Sequence, residues 1–376
     1  MRIPQKKFDL AVVGAGILGL ACALAAVRRG LQVVVIERNM LARGASVRNF
    51  GLITVTGQDP RGIWPLARRS RDVWDEVAVQ AGIPIQQRGV WIPAQRPESA
   101  AVLEAFLRTD MAEGCELLTA EAARRRCPDL QTRGLQAVLW SPHDRRVESR
   151  EALPMLADWL AREHGGTFLW GTAVHSVDVP TIETSRGPVS AAAAVVCPGD
   201  DLTSLFPERI EAAGVGRCTL QMLRLESPGF VLPGTLMSDL SMVRYGGFAT
   251  LPEAALLLER LQKEQPEYFQ HGIHLLIAQG ADGSLVVGDS HHYGPEPVIF
   301  AAERICELLL DEYATVTGHR APPIRERWTG TYAVAEGRSW LIESPSTRTR
   351  LVMVTSGVGA STGFAIGERV VGELFG

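Results

Sequence analysis

The sequence predicts an α/β protein of two interleaved lobes: a Rossmann-like, dinucleotide-binding lobe and an α+β lobe built on an antiparallel sheet. Three observations lead to this prediction. A βαβ unit with a glycine-rich turn opens the chain at 8–38, a buried strand runs into a glycine at 191–199, and a strand, glycine-rich turn and helix follow at 351–375. Ligands of open parallel sheets lie at the carboxyl ends of the strands. The three turns are therefore expected to meet at one site.

The opening segment has the pattern of a complete βαβ unit. Residues 10–13 form a short, apolar, β-branched run typical of a buried parallel strand. An alanine- and leucine-rich helix is expected at 17–29, and a second apolar strand at 32–36. The turn between the first strand and the helix has the spacing G-x-G-x-x-G.

The glycine turn predicts a pyrophosphate site. Gly14 permits the tight turn, Gly16 lets the backbone approach a pyrophosphate, and Gly19 lets helix and strand pack closely. The phosphates would lie at the helix N-terminus, where the amides and the dipole favour negative charge. Glu37 ends the second strand, near the ~20-residue spacing of the acid that binds a ribose 2′-hydroxyl. An acid here argues against a 2′-phosphate, so the ligand is FAD or NAD.

Composition narrows the remaining function classes. The 376 residues are 46% hydrophobic and 21% charged, which describes a globular protein with a sizeable core. A net charge of -4 gives no reason to expect nucleic acid or an anionic membrane as a partner. The sequence shows no signal-peptide pattern and no membrane-span run, and its six cysteines lack metal-site spacing. We expect a cytoplasmic protein with reduced thiols and no metal site.

The middle of the chain alternates between the two lobes. The dinucleotide lobe is expected at 1–80, 145–215 and 335–376, and the substrate lobe at 81–144 and 216–334. The patterns at 217–225, 238–245 and 274–288 predict strands, with turns at Gly246-Gly247 and Asp282-Gly283. Helices are expected at 97–113, 149–164, 251–263 and 297–313, and the last helix at 365–375.

Taken together, these motifs resemble the FAD-dependent amine and amino-acid oxidases. That family contains glycine oxidase, monomeric sarcosine oxidase, D-amino-acid oxidase and bacterial D-amino-acid dehydrogenases. The resemblance rests on the N-terminal unit, the strand end at 195–199 and the Gly357-Val-Gly359 turn. It implies a glutathione-reductase-type FAD lobe, with the C-terminal turn at the flavin end. The stretch around Tyr332 contains no cysteine, so the FAD is expected to be non-covalent.

The resemblance also implies which residues bind the cofactor. The pyrophosphate would contact Gly14, Gly16, Leu18 and Gly19, and the adenosine end Glu37, Arg38 and the backbone of Val174. The ribityl chain and isoalloxazine would contact Ala45, Ser46, Asn49, Gly359, Ala360, Ser361 and Thr362. Further cofactor-binding positions are Ile17, Arg48, Phe50, Gly51, Cys197, Pro198, Gly199 and Gly357.

A narrower resemblance concerns the substrate. Four short stretches, at 46–51, 243–245, 288–294 and 327–332, are similar to a bacterial subgroup proposed to oxidise aminophosphonates related to 2-aminoethylphosphonate. This implies oxidation of a small anionic amine to an imine, which hydrolyses to an aldehyde and an amine. Glycine, sarcosine or a D-amino acid is the alternative substrate class. A 2-hydroxy acid dehydrogenase and a non-catalytic FAD-binding subunit of a larger dehydrogenase also remain open.

An anionic substrate calls for arginine, whose planar fork matches carboxylate and phosphonate oxygens. Arg244 is the first candidate, because it is expected to end a strand beside the Gly-Gly turn, although it could also be a surface arginine in a salt bridge. Arg48 is the second candidate, and it could serve the cofactor instead. Arg327 is expected to be structural.

Polar and aromatic residues supply the other catalytic candidates. His291 or His292 could contact a phosphonate or take the amine proton near neutral pH. Trp328 and Tyr332 could form a wall over the flavin, or they could belong to the core. The remaining histidines show no ligand spacing and are expected to be surface or satisfied side chains: His143, His164, His175, His271, His274 and His319.

The electron acceptor could be O₂ or a carrier. Family members that activate oxygen do so through a lysine over the flavin, and this chain has only Lys6, Lys7 and Lys263. Lys263 is expected on an exposed, polar helix segment. This argues against a true oxidase, and the oligomeric state is left open.

Overall fold

The computed structural model describes residues 6–130 and 134–376, so residues 1–5 and 131–133 of the predicted lobes lie outside the described residues. The strands, in chain order, are β1 (Lys7–Val13), β2 (Val33–Ile36), β3 (Leu52–Ile53), β4 (Gln87–Ala94), β5 (Glu116–Leu118), β6 (Ala137–Arg146), β7 (Thr167–Leu169), β8 (Val174–Asp178), β9 (Thr181–Thr184), β10 (Val189–Val196), β11 (Gly216–Leu225), β12 (Thr235–Met237), β13 (Leu276–Gln279), β14 (Leu285–Gly288), β15 (His292–Gly294), β16 (Ile324–Val334), β17 (Trp340–Ser346) and β18 (Thr349–Val354). The helices are α1 (Ile17–Val27), α2 (Ile63–Ala81), α3 (Pro97–Phe106), α4 (Ala120–Arg126), α5 (Ser149–His164), α6 (Pro207–Ala212), α7 (Gly246–Ala249), α8 (Ala254–Glu264), α9 (Pro266–Gln270), α10 (Glu303–Thr317) and α11 (Gly359–Phe375). Short 3-10 helices lie at Ala45–Val47, Asp110–Ala112 and Asp239–Val243.

The first sheet contains the predicted dinucleotide-binding strands. Its order is β17-β18-β10-β1-β2-β7, and β8 and β9 extend it from β10. The strands from β18 to β7 are parallel, whereas β17 pairs antiparallel with β18. All four residues of β2 are buried, as expected for a strand covered on both faces. The three predicted turns, after β1, β10 and β18, lie at the carboxyl ends of these parallel strands.

The second sheet is the predicted antiparallel one. Its order is β15-β11-β14-β13-β12-β4-β6-β3, with β16 paired to β11 and β5 to β6. The pairs are antiparallel except for β12 with β4. Strand β3 joins this sheet although the sequence placed residue 52 in the dinucleotide lobe. The boundaries of the two lobes therefore stay a prediction.

Helices α1, α2 and α11 pack together on one face of the first sheet. The indole of Trp74 in α2 is fully buried, contacts the ring of Phe364 edge-on at 5.0 Å between centroids, and donates a hydrogen bond to the carbonyl of Ala360. This packing fixes the first turn of α11, which follows the C-terminal glycine turn. Among the described residues, no helix combines the length and apolar character needed to cross a bilayer.

The strand predicted at 238–245 is wrong. The segment forms a 3-10 helix over Asp239–Val243, and the predicted Gly246-Gly247 turn begins α7. The polar residues that suggested alternation are buried and have internal partners. Asp239 pairs with Arg96 at 2.8 Å, and Ser241 faces His274. A period-two pattern predicts a half-exposed strand only when its polar members face water.

Three predicted helices differ most from the structure, by six or seven residues at one end. The first ends at Phe106 instead of 113, because the Thr109 hydroxyl binds the Phe106 carbonyl and the chain turns there. The second begins at Glu303 instead of 297, since Val298 N and Ala302 N donate to side chains of β11. The last begins at Gly359 instead of 365, which brings its N-terminal turn to the predicted flavin end.

Candidate active site

A cavity of about 190 Å³ lies at the carboxyl ends of β1, β2 and β10. Its walls include the glycine turn, the end of β2 and the segment after β10. The Glu37 carboxylate is buried and accepts hydrogen bonds from Ala15 N and from both nitrogens of Asn39, each at 2.9 Å. The predicted cofactor residues that line this cavity are Gly14, Gly16, Glu37, Arg38, Ala45, Ser46, Val174, Cys197, Pro198 and Gly199.

The glycine turn has no room for side chains. Gly14 has φ of +101°, and a Cβ there would lie 2.5 Å from the carbonyl oxygen of Cys197. A Cβ at Gly19 would lie 1.9 Å from the carbonyl oxygen of Gly14, so α1 rests directly on the turn. Ile17 N, in the first turn of α1, donates to the Ser46 hydroxyl at 3.0 Å. The turn thus has the tight bend and close packing expected of a dinucleotide site.

A second cavity, of about 690 Å³, adjoins the first, and Ala45 and Ser46 line both. An elongated ligand can therefore extend from the glycine turn into the larger space. The predicted residues that line the larger cavity are Ile17, Ala45, Ser46, Arg48, Asn49, Phe50, Arg244, His291, Tyr332, Gly357, Gly359, Ala360 and Ser361. The paired cavities suit an elongated cofactor such as FAD, which would have its adenosine end in the smaller cavity and its flavin in the larger one.

Arg244 reaches the larger cavity from the end of the 3-10 helix, not from the end of a strand as the sequence predicted. Its guanidinium donates one hydrogen bond, to the hydroxyl of Tyr293 at 2.9 Å. Within 6–130 and 134–376, no carboxylate lies at ion-pair distance from it. Its remaining N–H groups are therefore available to a ligand in the cavity.

Three buried titratable side chains lie beside Arg244 on the same cavity wall. His274 Nε2 lies 3.4 Å from Asp289 Oδ1, and His291 Nε2 lies 3.8 Å from Asp289 Oδ2. The two imidazole rings are nearly parallel, with 5.0 Å between centroids. We call His274, Asp289 and His291 the HDH cluster. It combines two imidazoles and a carboxylate next to an unpaired arginine.

Burial and Arg244 set the protonation of the HDH cluster. Burial raises the pKa of Asp289 to about 7, although the positive charge of Arg244 acts in the opposite direction. Burial and the Arg244 charge both lower the pKa of His274 and of His291 well below the usual value. Both imidazoles are therefore neutral at pH 7, and the carboxyl group of Asp289 exchanges a proton near that pH.

Two predicted catalytic residues lie outside the cavity. The indole of Trp328 donates to the carbonyl of Arg48 at 3.2 Å and stacks under the guanidinium of Arg150, so it supports the loop that contains Arg48 instead of forming a cavity wall. His292 turns away from His291 along β15 and packs near His271. The predicted cofactor residues that line neither cavity are Leu18, Gly19, Gly51 and Thr362.

Part of the cavity wall was not predicted from the sequence. His274, expected to be a surface or satisfied histidine, is buried and lines the cavity, as do Asp289 and Tyr245. The pairing of β13 with β14 places Leu276 opposite Gly288, which brings His274 next to the residues after β14. The sequence predicted strands at 274–288, but it did not give the pairing register of β13 with β14 that brings His274 to Asp289.

Solved structures with the same fold include two oxidases and a dehydrogenase. Glycine oxidase from Bacillus cereus ATCC 14579 aligns with a TM-score of 0.76 over 97% of this chain and 94% of its own, at 17% identity. L-proline dehydrogenase from P. horikoshii aligns with a TM-score of 0.77 over 98% and 93%, at 18% identity. Iminodiacetate oxidase from Chelativorans sp. BNC1 aligns with a TM-score of 0.72 over 97% and 94%, at 18% identity. At these identities the likeness concerns the fold alone.

Sequence relatives and a family model complete the comparison. N-methyl-L-tryptophan oxidase from Salmonella typhi is 27% identical over 211 residues, which are 54% of this chain and 56% of the relative. The match thus spans about half the length of such relatives. The model of the family described as FAD dependent oxidoreductase (DAO) matches residues 9–372. With this match and the two joined cavities, the chain belongs to the DAO family of FAD-dependent oxidoreductases.

Proposed function

We propose that this flavoenzyme oxidises a small amine that bears an anionic group. The favoured substrate is an aminophosphonate, 2-aminoethylphosphonate or its N-alkyl or hydroxy derivative. Glycine, sarcosine or a D-amino acid is the alternative. The observation that supports the proposal is Arg244, whose guanidinium faces the larger cavity with one hydrogen bond and no carboxylate partner among the described residues.

An unpaired arginine in a cavity favours an anionic ligand. Arg244 is exposed at the cavity surface, so its guanidinium is accessible to an anion, and the fork of arginine binds carboxylate or phosphonate oxygens in a fixed orientation. The Tyr293 hydroxyl holds Arg244 Nη2 at 2.9 Å, so the orientation exists before the substrate arrives. We expect Arg244 to anchor the anionic end of the substrate.

A second arginine supports the phosphonate over the carboxylate. Arg48 lines the same cavity, and no ion pair or side-chain hydrogen bond of its guanidinium occurs in the described chain. A phosphonate carries more negative charge near neutral pH than a carboxylate does, so two arginines suit it better. A third arginine, Arg338, also lines the cavity. If Arg48 faces the cofactor instead, less positive charge is left for the substrate, which favours an amino acid.

The oxidation step depends on how the substrate is held relative to the flavin. Bound FAD would supply the redox step by taking up the hydride equivalent from the carbon next to nitrogen. The protein must hold that carbon toward the flavin end of the cavity. Binding of the anionic group by Arg244 would orient the substrate in this way. Tyr245 and Tyr332 line the same cavity. The imine product hydrolyses to an aldehyde and an amine.

The names of similar proteins agree with an amine that bears an acidic group. Glycine, iminodiacetate and N-methyl-L-tryptophan, which name three of the enzymes above, each combine an amine with a carboxylate. None of these names contains a phosphonate. They therefore support the amine and the anionic group, and the choice between the two anions depends on the arginines.

An anaerobic titration of the purified yellow protein tests the proposal. The visible flavin spectrum is followed while 2-aminoethylphosphonate, its N-methyl derivative, glycine, sarcosine and D-alanine are added separately. We expect the phosphonates to bleach the flavin. Matched hydroxy analogues, 2-hydroxyethylphosphonate and lactate, serve as controls for the oxidised bond.

Each outcome of the titration has a distinct meaning. Bleaching by the amino acids alone would select the alternative substrate class. Bleaching by a hydroxy analogue alone would contradict amine oxidation. Bound FAD that none of these compounds reduces, unless a partner chain is added, would identify a FAD-binding subunit instead of an enzyme.

A further inference from the structure

The HDH cluster has one nitrogen whose hydrogen can be assigned from geometry. His291 Nδ1 lies 2.8 Å from the carbonyl oxygen of Gly272. A carbonyl only accepts hydrogen bonds, so this nitrogen carries a hydrogen. The neutral ring then has its lone pair on Nε2, which faces Asp289 Oδ2 at 3.8 Å. Two hydrogen-bond acceptors thus face each other across a buried gap.

On the other side of the cluster, His274 can direct an N–H toward Asp289. His274 Nδ1 lies 3.3 Å from the hydroxyl of Ser241, which can donate to it. In that tautomer His274 Nε2 carries the hydrogen and faces Asp289 Oδ1 at 3.4 Å. Asp289 Oδ1 nevertheless has no hydrogen-bond partner among the described residues, and Oδ2 faces the lone pair of His291. The cluster has a vacant position for one proton, between Asp289 and His291.

We infer that the HDH cluster accepts the proton that the substrate's ammonium group loses before oxidation. This inference rests on the proposed function. An ammonium nitrogen has no lone pair, so its neighbouring carbon cannot give up a hydride equivalent until the nitrogen is deprotonated. In the proposed step an N–H bond breaks, its electron pair stays on nitrogen, and the proton passes to the position between Asp289 Oδ2 and His291 Nε2.

The charges around the cluster suit a substrate that carries both an anionic group and an ammonium group. Arg244 binds the anionic end beside the cluster, and the carboxylate of Asp289 attracts the ammonium end. Burial raises the pKa of Asp289 to about 7, so the carboxylate is the main form above that pH and can take up a proton there. The titratable and charged groups around the cluster are Arg244, Tyr245, Cys218, His292, Tyr293 and Tyr332.

The same atoms could be read as ligands of a metal ion, since they lie within 4.8 Å of one another. Arg244 opposes that reading, because its positive charge is close enough to depress the pKa of both histidines. A cation at the cluster would add to that charge in a buried place. A proton-accepting role uses the single negative charge of Asp289 without adding a second cation.

The test is the pH dependence of anaerobic flavin reduction, measured in the holoenzyme with whichever amine bleaches the wild type. Three variants are compared: Asp289→Asn, His291→Gln and, as a matched control, His271→Gln. His271 is a half-buried histidine of the same region whose ring packs near His292 and does not line the cavity. The ratio of FAD to protein in each variant shows that the fold is retained.

For the wild type and His271→Gln we expect the reduction rate to rise with pH and to level off above about pH 7. For Asp289→Asn we expect a rate roughly 10² to 10⁴ lower at pH 7. That rate should increase about tenfold per pH unit toward pH 9, because only the free amine in solution then reacts. His291→Gln should reduce the rate in the same direction.

Two results would overturn the inference while leaving the proposed function intact. One is an Asp289→Asn profile that has the wild-type shape and rate. The other is one equivalent of zinc or iron per chain in metal analysis of the wild type, absent from Asp289→Asn and His291→Gln. If no amine reduces the wild-type flavin, the proposed function fails first and the inference fails with it.

Discussion

Replacing Arg244 by methionine tests the substrate anchor most directly. Methionine has a similar length and no charge, so the variant removes the Arg244 guanidinium from the cavity together with its hydrogen bond to Tyr293. A hydrogen bond to a charged group contributes about 1.5–3 kcal/mol. We therefore expect Kd for an anionic amine to increase roughly 10- to 150-fold. The reduction rate at saturating substrate should fall less, provided that bound substrate still reaches the flavin.

The assay is the spectral shift of the flavin on anaerobic binding, with reduction followed by stopped flow. Arg244→Lys keeps the charge without the planar fork and should lie between the wild type and the methionine variant. Arg327→Met is the matched control, since this exposed arginine pairs with Glu303 and does not line the cavity. An unchanged Kd in Arg244→Met, with FAD still bound, would refute the anchoring role.

Three further predictions concern the cofactor, the buried acid of α10 and oxygen. Gly14→Ala should lose most of its FAD, because the added Cβ would lie 2.5 Å from the carbonyl oxygen of Cys197. The ratio of flavin absorbance to protein absorbance in the purified variant measures the FAD content. A full FAD content would contradict this prediction. Glu312 has its pKa raised by burial from 4.5 to about 7, so the folded state binds its proton more tightly and stability falls as pH rises between these values, by about 3 kcal/mol. Asp289 also has its pKa raised by burial, so it contributes a decline of its own. Glu312→Gln should therefore make the decline in thermal unfolding scans shallower, whereas Glu104→Gln, at an exposed position of α3, should keep it in full. An equally steep decline in both variants would be evidence against a buried, protonated Glu312. Lys263 pairs with Glu259 on exposed α8, and no lysine lines the larger cavity in the described chain, so the reduced protein should reoxidise slowly in air and quickly with an artificial carrier such as a quinone. Fast oxygen consumption would show that another residue replaces the lysine.

The cofactor lobe was largely predictable, because its signals are local. The turn at 14–19 follows an apolar strand and opens a helix, and this order determines where a pyrophosphate can lie. The structure has these elements as β1, α1 and β2, close to the expected limits. The family and the FAD cofactor are confirmed, and the individual contact residues stay a prediction.

The substrate end was only partly predictable, because it depends on which segments meet. Arg244, His291 and Tyr332 were candidates from residue chemistry, and the structure brings all three to one cavity. Trp328 was expected at the same wall but supports the loop behind it. On an antiparallel strand, neighbouring side chains face opposite sides, so a short motif does not determine which of its members reaches the cavity.

By itself, the sequence determined the βαβ unit and its glycine turn, because both depend on residues close together in the chain. Only the tertiary structure decided that His274 lies against Asp289 and His291, because that contact depends on the register of β13 with β14. It also decided that the 3-10 helix before Arg244 is buried with its polar side chains paired internally. Whether a polar residue faces water or a partner depends on the packing of distant segments, which no local pattern contains.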